Sequence, residues 1–567
     1  MAAATPSAVI DYRPEIDGLR ALAVLAVIGF HAHIPPLGGG FIGVDVFFVL
    51  SGYLITRIIV REQEVGHFTL GGFYARRARR ILPALVTVGL ACLPVAALLM
   101  SLEQLRDFAV TLALSAFGAS NFWLAATTGY FDAPAYERPL LHTWSLAVEE
   151  QYYLLYPLFL LVAARWRRSR VLVVLAVGAV VSLALAEWGW RHQANANFYL
   201  APARAWELAV GCLCALALPG GAAPSTWPRA ARELLAAAGT AAIAWSAVAF
   251  HRGTPSPSLH MLVPVLGTAA AILFATRDTW TGRLLASRPF VAIGLISYSA
   301  YLWHQPLLAF ARLHLDARLP AAWRVGLVLL TLVLAAVTWR WVEQPWRRRS
   351  GSVGAALRAG LAAMAGLAAL GAGAYALAPH VAPPVPEAVK AGFLPPPRAA
   401  ACFDIPHAHV RAEGWLCDIH PRGEARPSFA LFGDSHAVQL LDAFEQAAVQ
   451  AGRRGVFAGF SGCPPLQGVH ALDRLNDTRL DCAALNARML ATVRELGLRD
   501  VYLVGKWSYS TEYWDGGRYL NALALTPDGP ATLEASREAF DHGVRATVEA
   551  YARVGARVHF VAQVPQQ

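Results

Sequence analysis

Residues 17–34 read DGLRALAVLAVIGFHAHI, a stretch built to cross a membrane yet carrying Arg20 and His31 eleven residues apart. Eleven residues turn a helix by about 1100°, so only about 20° separates the two side chains around the axis. The guanidinium and the imidazole share one stripe, roughly 16 Å apart along the helix, with no charge between them. An ionisable group inside a membrane helix is costly and marks a functional position by default. A cation near one end and an imidazole deeper in the span point to an anionic ligand and a base that reacts with it.

Similar apolar runs recur from Gly18 to about Leu377. The chain has 567 residues, 56% hydrophobic and 15% charged, where a soluble protein of this size carries roughly 25% charge. MAAATPSAVIDYRPEID at the start lacks the basic region, apolar core and cleavage site of a signal peptide, so the first span is expected to be retained. The net charge of +10 is spread over short clusters between spans, at 76–80, 165–170 and 347–349. That distribution fits the positive-inside rule rather than nucleic-acid binding. With those clusters in the cytoplasm, spans fall near 18–34, 41–60, 81–100, 144–164, 171–189, 203–218, 232–250, 260–276, 290–311, 322–342 and 354–378. The expected fold is a polytopic α-helical membrane bundle of about eleven crossings, N-terminus inside and C-terminus outside. The apolar stretch 107–126 does not fit this count and is expected to be re-entrant or interfacial.

The seven cysteines divide the chain. Cys92, Cys212 and Cys214 lie in spans; Cys402, Cys417, Cys463 and Cys482 follow the last one. Four cysteines in an exported domain point to two disulfides, and proximity favours 402–417 with 463–482 among three possible pairings. Seven prolines between 379 and 398 read as a stiff linker. The expected organisation is a membrane domain at 1–348, a further transmembrane helix at 349–380, a Pro-rich, disulfide-bearing extension at 381–425 and an α/β domain at 426–567.

Polar groups gather where lipid would exclude them. Asp45, Ser51 and Tyr53 lie in GVDVFFVLSGYLI (43–55). His142, Trp144, Glu149 and Glu150 lie in LLHTWSLAVEEQYYLLYP (140–157). Glu207 lies in RAWELAVG (204–211), His304 in ISYSAYLWHQP (296–306) and Glu343 in WRWVEQP (339–345). One such group alone is as readily a helix-packing residue; together they describe a polar cavity, suited to an ion-coupled transporter or to an enzyme using a charged cosubstrate.

The ordered set Arg20-x10-His31, FFVLSGYLI, FYARRARRILP, LLHTWSLAVEEQYYLLYP and ISYSAYLWHQP resembles the membrane acyltransferase-3 family across residues 12–348. The resemblance implies transfer of an acetyl group from cytoplasmic acetyl-CoA to an extracytoplasmic sugar, O-antigen or another envelope glycan, in a bacterial inner membrane with the C-terminal domain in the periplasm. It implies that His31 is the essential histidine, Arg20 its partner, and Arg77 and Arg80 the R-x-x-R pair of the third span. Glu149 matches the family glutamate, and Glu150 a more variable position. The cluster Arg76, Arg77 and Arg80, with Ser51 and Tyr53, is expected to meet the CoA phosphates. Asp45, His142, Trp144, Glu150 and His304 are expected to support the structure or the substrate path. A pantetheine arm of roughly 15–20 Å matches the Arg20–His31 rise, and Glu149 is expected to orient the imidazole. His31 then acts as general base or takes the acetyl group itself. Acetyl-CoA, a glycan and the bilayer are the expected partners; no metal or nucleic acid is. The competing reading is a glycan or lipid-linked sugar transporter with an exported glycan-binding domain.

After the linker, strands at 428–433, 455–460, 500–508 and 556–564 alternate with helices at 437–451, 483–497 and 533–552. FALFGDSHAVQLLDAF (429–444) places Ser435 at a strand-to-helix turn, where backbone N–H groups can stabilise an oxyanion. An ordinary helix cap reads the same way. GDSH followed by SGCPP and GKWSYS resembles the SGNH-hydrolase domain fused to such acetyltransferases, which implies Ser435 as nucleophile and Gly462 as an oxyanion donor. Lys506-Trp507-Ser508 stands where many relatives carry asparagine. The expected Asp-x-x-His does not follow the last strand, which runs into FVAQVPQQ (560–567), so the domain is expected either to be incomplete at its C-terminus or to lack the usual triad, with little hydrolysis of its own. Asp541-His542 is expected to be surface helix.

Overall fold

A computed structural model describes residues 12–127, 133–217, 227–315, 319–349, 351–383, 397–404, 414–420, 426–472, 482–511 and 522–562. The chain forms two compact units, Met1–Pro384 and Val385–Gln567.

All eleven apolar segments expected to span are helical. In chain order they are α1 (Pro14–His31), α2 (Gly43–Glu64), α3 (Leu70–Leu99), α6 (Thr143–Ala163), α7 (Arg168–His192), α9 (Ala205–Ala217), α10 (Arg229–Ala249), α11 (Leu262–Phe274), α13 (Arg288–His314), α14 (Ala321–Thr338) and α16 (Val353–Val381). Shorter helices α4 (Leu102–Ser115), α5 (Ser120–Thr127), α8 (Ala194–Tyr199), α12 (Trp280–Leu285) and α15 (Gln344–Arg348) lie between them. Among the described residues, six helices are long and apolar enough to cross a membrane. Their outer faces carry exposed Val173, Val177, Val180 and Val181 on α7 and Leu329 and Val333 on α14, a surface that lipid and not water accommodates.

The ambiguous stretch 107–126 is two helices. Ser101 caps α4 with a full capping box, and α4 stops at a turn where Gly118 takes φ +62°. Fourteen residues of helix rise only about 21 Å, short of a hydrocarbon core. The turn is held by α6, whose Gln151 donates to Gly118 O and to Asn121 Oδ1.

The interior is close-packed through small residues. A Cβ on Gly52 of α2 would sit 2.0 Å from Leu208 O of α9, and one on Gly211 would sit 2.0 Å from Val49 O. A backbone approaches another this closely only where the approaching residue has no Cβ. A buried ion cluster closes the same pair: Arg204 reaches Asp45 (3.1 Å) and Glu207 (3.2 Å), with its guanidinium over the rings of Trp144 and Phe198.

The second unit holds a five-stranded sheet in the order β1-β3-β2-β5-β7, from β1 (Cys417–Ile419), β2 (Phe429–Gly433), β3 (Gly455–Gly459), β5 (Asp500–Val504) and β7 (Arg557–Phe560). All neighbours are parallel except β1 with β3. β4 (His470–Ala471) and β6 (Leu523–Ala524) form a separate ladder. The last long helix, Leu533–Arg553, carries exposed Asp541 and His542. Disulfides join Cys402 to Cys417 and Cys463 to Cys482, the pairing that proximity favours.

Replacing Gly52 by Val should overpack the α2–α9 contact and cost about 1–3 kcal/mol. The expected result is a lowered melting temperature of the detergent-solubilised protein, followed by tryptophan fluorescence; an unchanged melt would show that the two backbones are not in contact.

Candidate active site

A narrow cavity with about 80 Å³ of free space opens between α1, α2, α3, α6 and α13. Its polar lining is Arg20, Ser51, Arg77, Arg80, Ser145, Glu149, Glu150, Tyr153, Ser297, Tyr298 and Tyr301. The helix period explains the selection. Arg77 and Arg80 are three apart on α3 and share a face. Arg76 is turned about 100° from Arg77 and instead pairs with Glu62 (2.7 Å), so the expectation that it joins the cavity does not hold. Ser51 faces inward. Tyr53, two residues on, points the other way and is held by Arg13 (2.8 Å) and Arg57 (3.0 Å). Asp45 and Trp144 belong to the Arg204 cluster and not to the cavity wall.

The cations of this cavity are unequally satisfied. Arg20 pairs with Asp17 at 3.3 Å. Arg77 lies over the rings of Phe73 and Tyr153, and its buried Nε has no hydrogen-bond partner. Neither Arg77 nor Arg80 has a hydrogen bond or ion pair among the described residues. Glu149 and Glu150 share the cavity but pair with neither guanidinium among the described residues, which leaves the forks of Arg77 and Arg80 able to meet an anion.

Glu149 accepts from Ser51 Oγ (2.7 Å) and Tyr153 Oη (3.1 Å). The expectation that it orients His31 therefore gives way to another arrangement. The ring that meets His31 is His304, with Nε2 3.2 Å from His31 Nδ1. His31 Nδ1 also lies 3.1 Å from Val27 O, and His304 Nδ1 lies 2.6 Å from Tyr301 O. Carbonyl oxygens only accept, so each Nδ1 carries the proton. His304 Nε2 then accepts from His31, and the lone pair of His31 is on Nε2. His142 adds a third buried imidazole, its ring centroid 5.4 Å from those of both His304 and Tyr301.

His31 is not part of the cavity wall. The α1 stripe between Arg20 and His31 is packed protein: Ala23, Val24 and Val27 have no exposed surface. Tyr301 stands at the histidine end of the cavity. Its hydroxyl meets Ser145 Oγ (2.6 Å) and donates to His142 O (3.1 Å), and its ring is 5.2 Å from that of His304. The open path along the stripe that helix spacing implies is therefore closed in this structure, with Tyr301 among the residues that close it. Tyr301 escaped the sequence reading although it lies three residues before His304, on the same helix face.

In the second unit Ser435 is exposed directly after β2 and starts the five-residue helix Ser435–Gln439. Asp434 organises the turn: its carboxylate accepts from His436 N (2.8 Å) and from Lys506 N (2.7 Å), which is why β5 ends at Val504 and not at 508. The Ser435 hydroxyl makes no hydrogen bond among the described residues. His542 faces the turn at Gly468. Gly462 takes φ +74° in the turn after β3, beside Ser461, which bonds to Asp404.

Comparison with known proteins accords with this architecture. Residues 13–340 match the family model described as "Acyltransferase domain" (acyltransferase-3), and residues 401–567 match the "SGNH domain (fused to AT3 domains)". The chain belongs to the acyltransferase-3 family, in the form that carries a fused SGNH domain. It is 34% identical over 352 residues to peptidoglycan O-acetyltransferase OatA of Listeria monocytogenes, covering 59% of this chain and 56% of that protein. It is 32% identical over 351 residues to putative peptidoglycan O-acetyltransferase YrhL of Bacillus subtilis, covering 59% and 55%. It is 28% identical over 349 residues to a putative O-acetyltransferase of Staphylococcus aureus, covering 59% and 58%. The chain thus spans about half the length of the curated relatives it matches. No solved structure matches it.

Asp434→Ala should release the Lys506 and His436 amides. Hydrogen–deuterium exchange of the whole protein is expected to speed up at those two amides, consistent with loss of about 1 kcal/mol of capping; unchanged protection would mean that the carboxylate does not hold them.

Proposed function

We propose that this chain is an integral-membrane O-acetyltransferase that moves acetyl from cytoplasmic acetyl-CoA to a hydroxyl of an extracytoplasmic envelope glycan. The observation that carries the reading is the pair Arg77 and Arg80, guanidiniums without hydrogen-bonded counter-ions among the described residues, in a cavity whose Tyr301 wall backs onto the buried rings of His142 and His304. The charge clusters favour an eleven-crossing bundle with the Arg20 end in the cytoplasm and the His31 end and the SGNH domain outside. In a periplasm, the two disulfides are chemically at home.

Acetyl-CoA bound at the arginines supplies a thioester as the activated acyl group. Arg77 and Arg80 hold phosphate oxygens, and Arg20, steadied by Asp17, extends that cationic wall. Ser51 and Tyr153 fix Glu149 on the opposite side. Packing at Tyr301 and along α1 must open before the cavity and His31 communicate. With the proton on His31 Nδ1 turned toward Val27 O and His304, Nε2 would either take the acceptor hydroxyl's proton as that oxygen displaces the CoA thiolate from the thioester, or attack the acyl carbon itself, expel the thiolate and pass the acetyl on to the hydroxyl. Both routes use the same nitrogen. Ser435, exposed at the start of its helix with no hydrogen bond to its hydroxyl among the described residues, is a candidate later acceptor of the acetyl group.

His31→Ala and Arg20→Ala are each expected to abolish O-acetylation of envelope glycans, measured by mass spectrometry, with membrane expression intact. Full activity in well-folded His31→Ala protein would overturn the proposal. CoA should raise the melting temperature of the purified protein by ligand linkage, about 2.7 kcal/mol at a hundredfold excess over Kd. The Arg77→Ala, Arg80→Ala double variant should lose that protection. A transporter without a thioester site would show none in either protein.

A further inference from the structure

The His31 end of the first unit carries a second group of cations. Arg252 follows α10, Arg312 ends α13 and Arg324 begins α14. All three converge on the segment that roofs His31. Arg312 donates to His31 O and to Tyr136 O (3.3 Å). Arg324 donates to His33 O, and Arg252 to His33 Nε2. The guanidiniums of Arg252 and Arg312 lie 4.4 and 5.4 Å from the centroid of one ring, Tyr136, whose centroid is 6.1 Å from that of His31. A guanidinium only donates, so the His33 Nε2 that meets Arg252 carries no proton. His33 is therefore neutral and accepts from Arg252.

No carboxylate forms an ion pair with any of these arginines among the described residues, and the buried Nε of Arg324 has no hydrogen-bond partner. Arg312 is 6% exposed, while Arg252 and Arg324 are partly open. The Glu137 carboxylate is near enough to act on Arg312 but forms no ion pair with it, so three like charges still outnumber the one nearby negative charge and focus a positive potential on the space beside them. Retention of Lys and Arg in the cytoplasm gives no reason for arginines at this end, which lies opposite Arg20, Arg77 and Arg80.

We propose that Arg252, Arg312 and Arg324 form a docking site for the negative charge of an acidic glycan, a sugar chain bearing carboxylates, at the mouth that leads to His31. The inference rests on the acyltransfer reading for its direction: the donor anion enters at one end and the acceptor anion at the other. Backbone and aromatic contacts hold the three forks in place before any ligand arrives, so little ordering is lost on binding.

The test uses the full chain in nonionic detergent, with oligogalacturonate as the carboxylated probe and malto-oligosaccharide as the uncharged one, followed by microscale thermophoresis. Oligogalacturonate should bind, weaken with salt, and bind at least tenfold more weakly to the Arg252→Gln, Arg324→Gln protein. If that double variant does not fold, Arg252→Gln alone should still show weaker binding. Equal binding of both sugars, or unchanged affinity in the folded variants, overturns the proposal. So does complete displacement of the probe in nanodiscs containing phosphatidylglycerol but not in phosphatidylcholine ones, or by inorganic phosphate at matched ionic strength, since the site would then belong to lipid headgroups or free anions. Protection by CoA, read separately, should survive in these variants. Its absence from the wild-type protein would strike the acetyl-CoA reading while leaving oligogalacturonate binding as the measure of this site.

Discussion

A charge removed from water inside a helical bundle must find its partner within the protein, because lipid supplies none. The first unit obeys this requirement at Arg204, which is enclosed by Asp45, Glu207 and two aromatic rings. Its neighbourhood is a closed structural clasp between α2 and α9. Arg77 and Arg80 depart from it, lining a cavity without hydrogen-bonded partners among the described residues. The difference between a satisfied and an unsatisfied guanidinium, more than the presence of arginine, separates the clasp from the site.

The same accounting governs the imidazoles. Each buried ring needs a direction for its proton, and carbonyl oxygens at Val27 and Tyr301 provide it. A chain of two rings with one sense of donation follows, leaving a basic nitrogen on His31. This is the logic of a base held in a single tautomer by its neighbour, here built from a second histidine where a carboxylate is the commoner choice. Tyr301 binds the two halves: it lines the cavity with one face and contacts the histidines with the other.

Much of this was legible in the chain. The order of the apolar helices, the α/β order of the second unit and the pairing of its cysteines follow from hydropathy, period and proximity, because each depends on residues close in sequence. The candidate residues Arg20, Ser51, Arg77, Arg80, Glu149 and Glu150 were readable as costly polar groups in apolar surroundings, and they do line one cavity. Arg76 and Tyr53 were misplaced because a helix turns about 100° per residue, so a neighbour in sequence faces elsewhere. The partner of His31 was misassigned because Glu149 and His304 lie on different helices, 118 and 273 residues away, and no local pattern ranks them. Arg252, Arg312 and Arg324 carried no signal at all, being single arginines in or beside separate connections.

Sequence by itself determined that this is a helical, apolar unit joined to an α/β unit, and that ionisable groups are buried in the first, since composition and period act locally along the chain. Only the tertiary structure decided which of those groups are paired, which ring sets the tautomer of His31, and that Tyr301 stands between the cavity and the histidines. Those outcomes depend on which faces of distant helices meet, and that is set by close packing at positions such as Gly52 and Gly211, where two backbones touch.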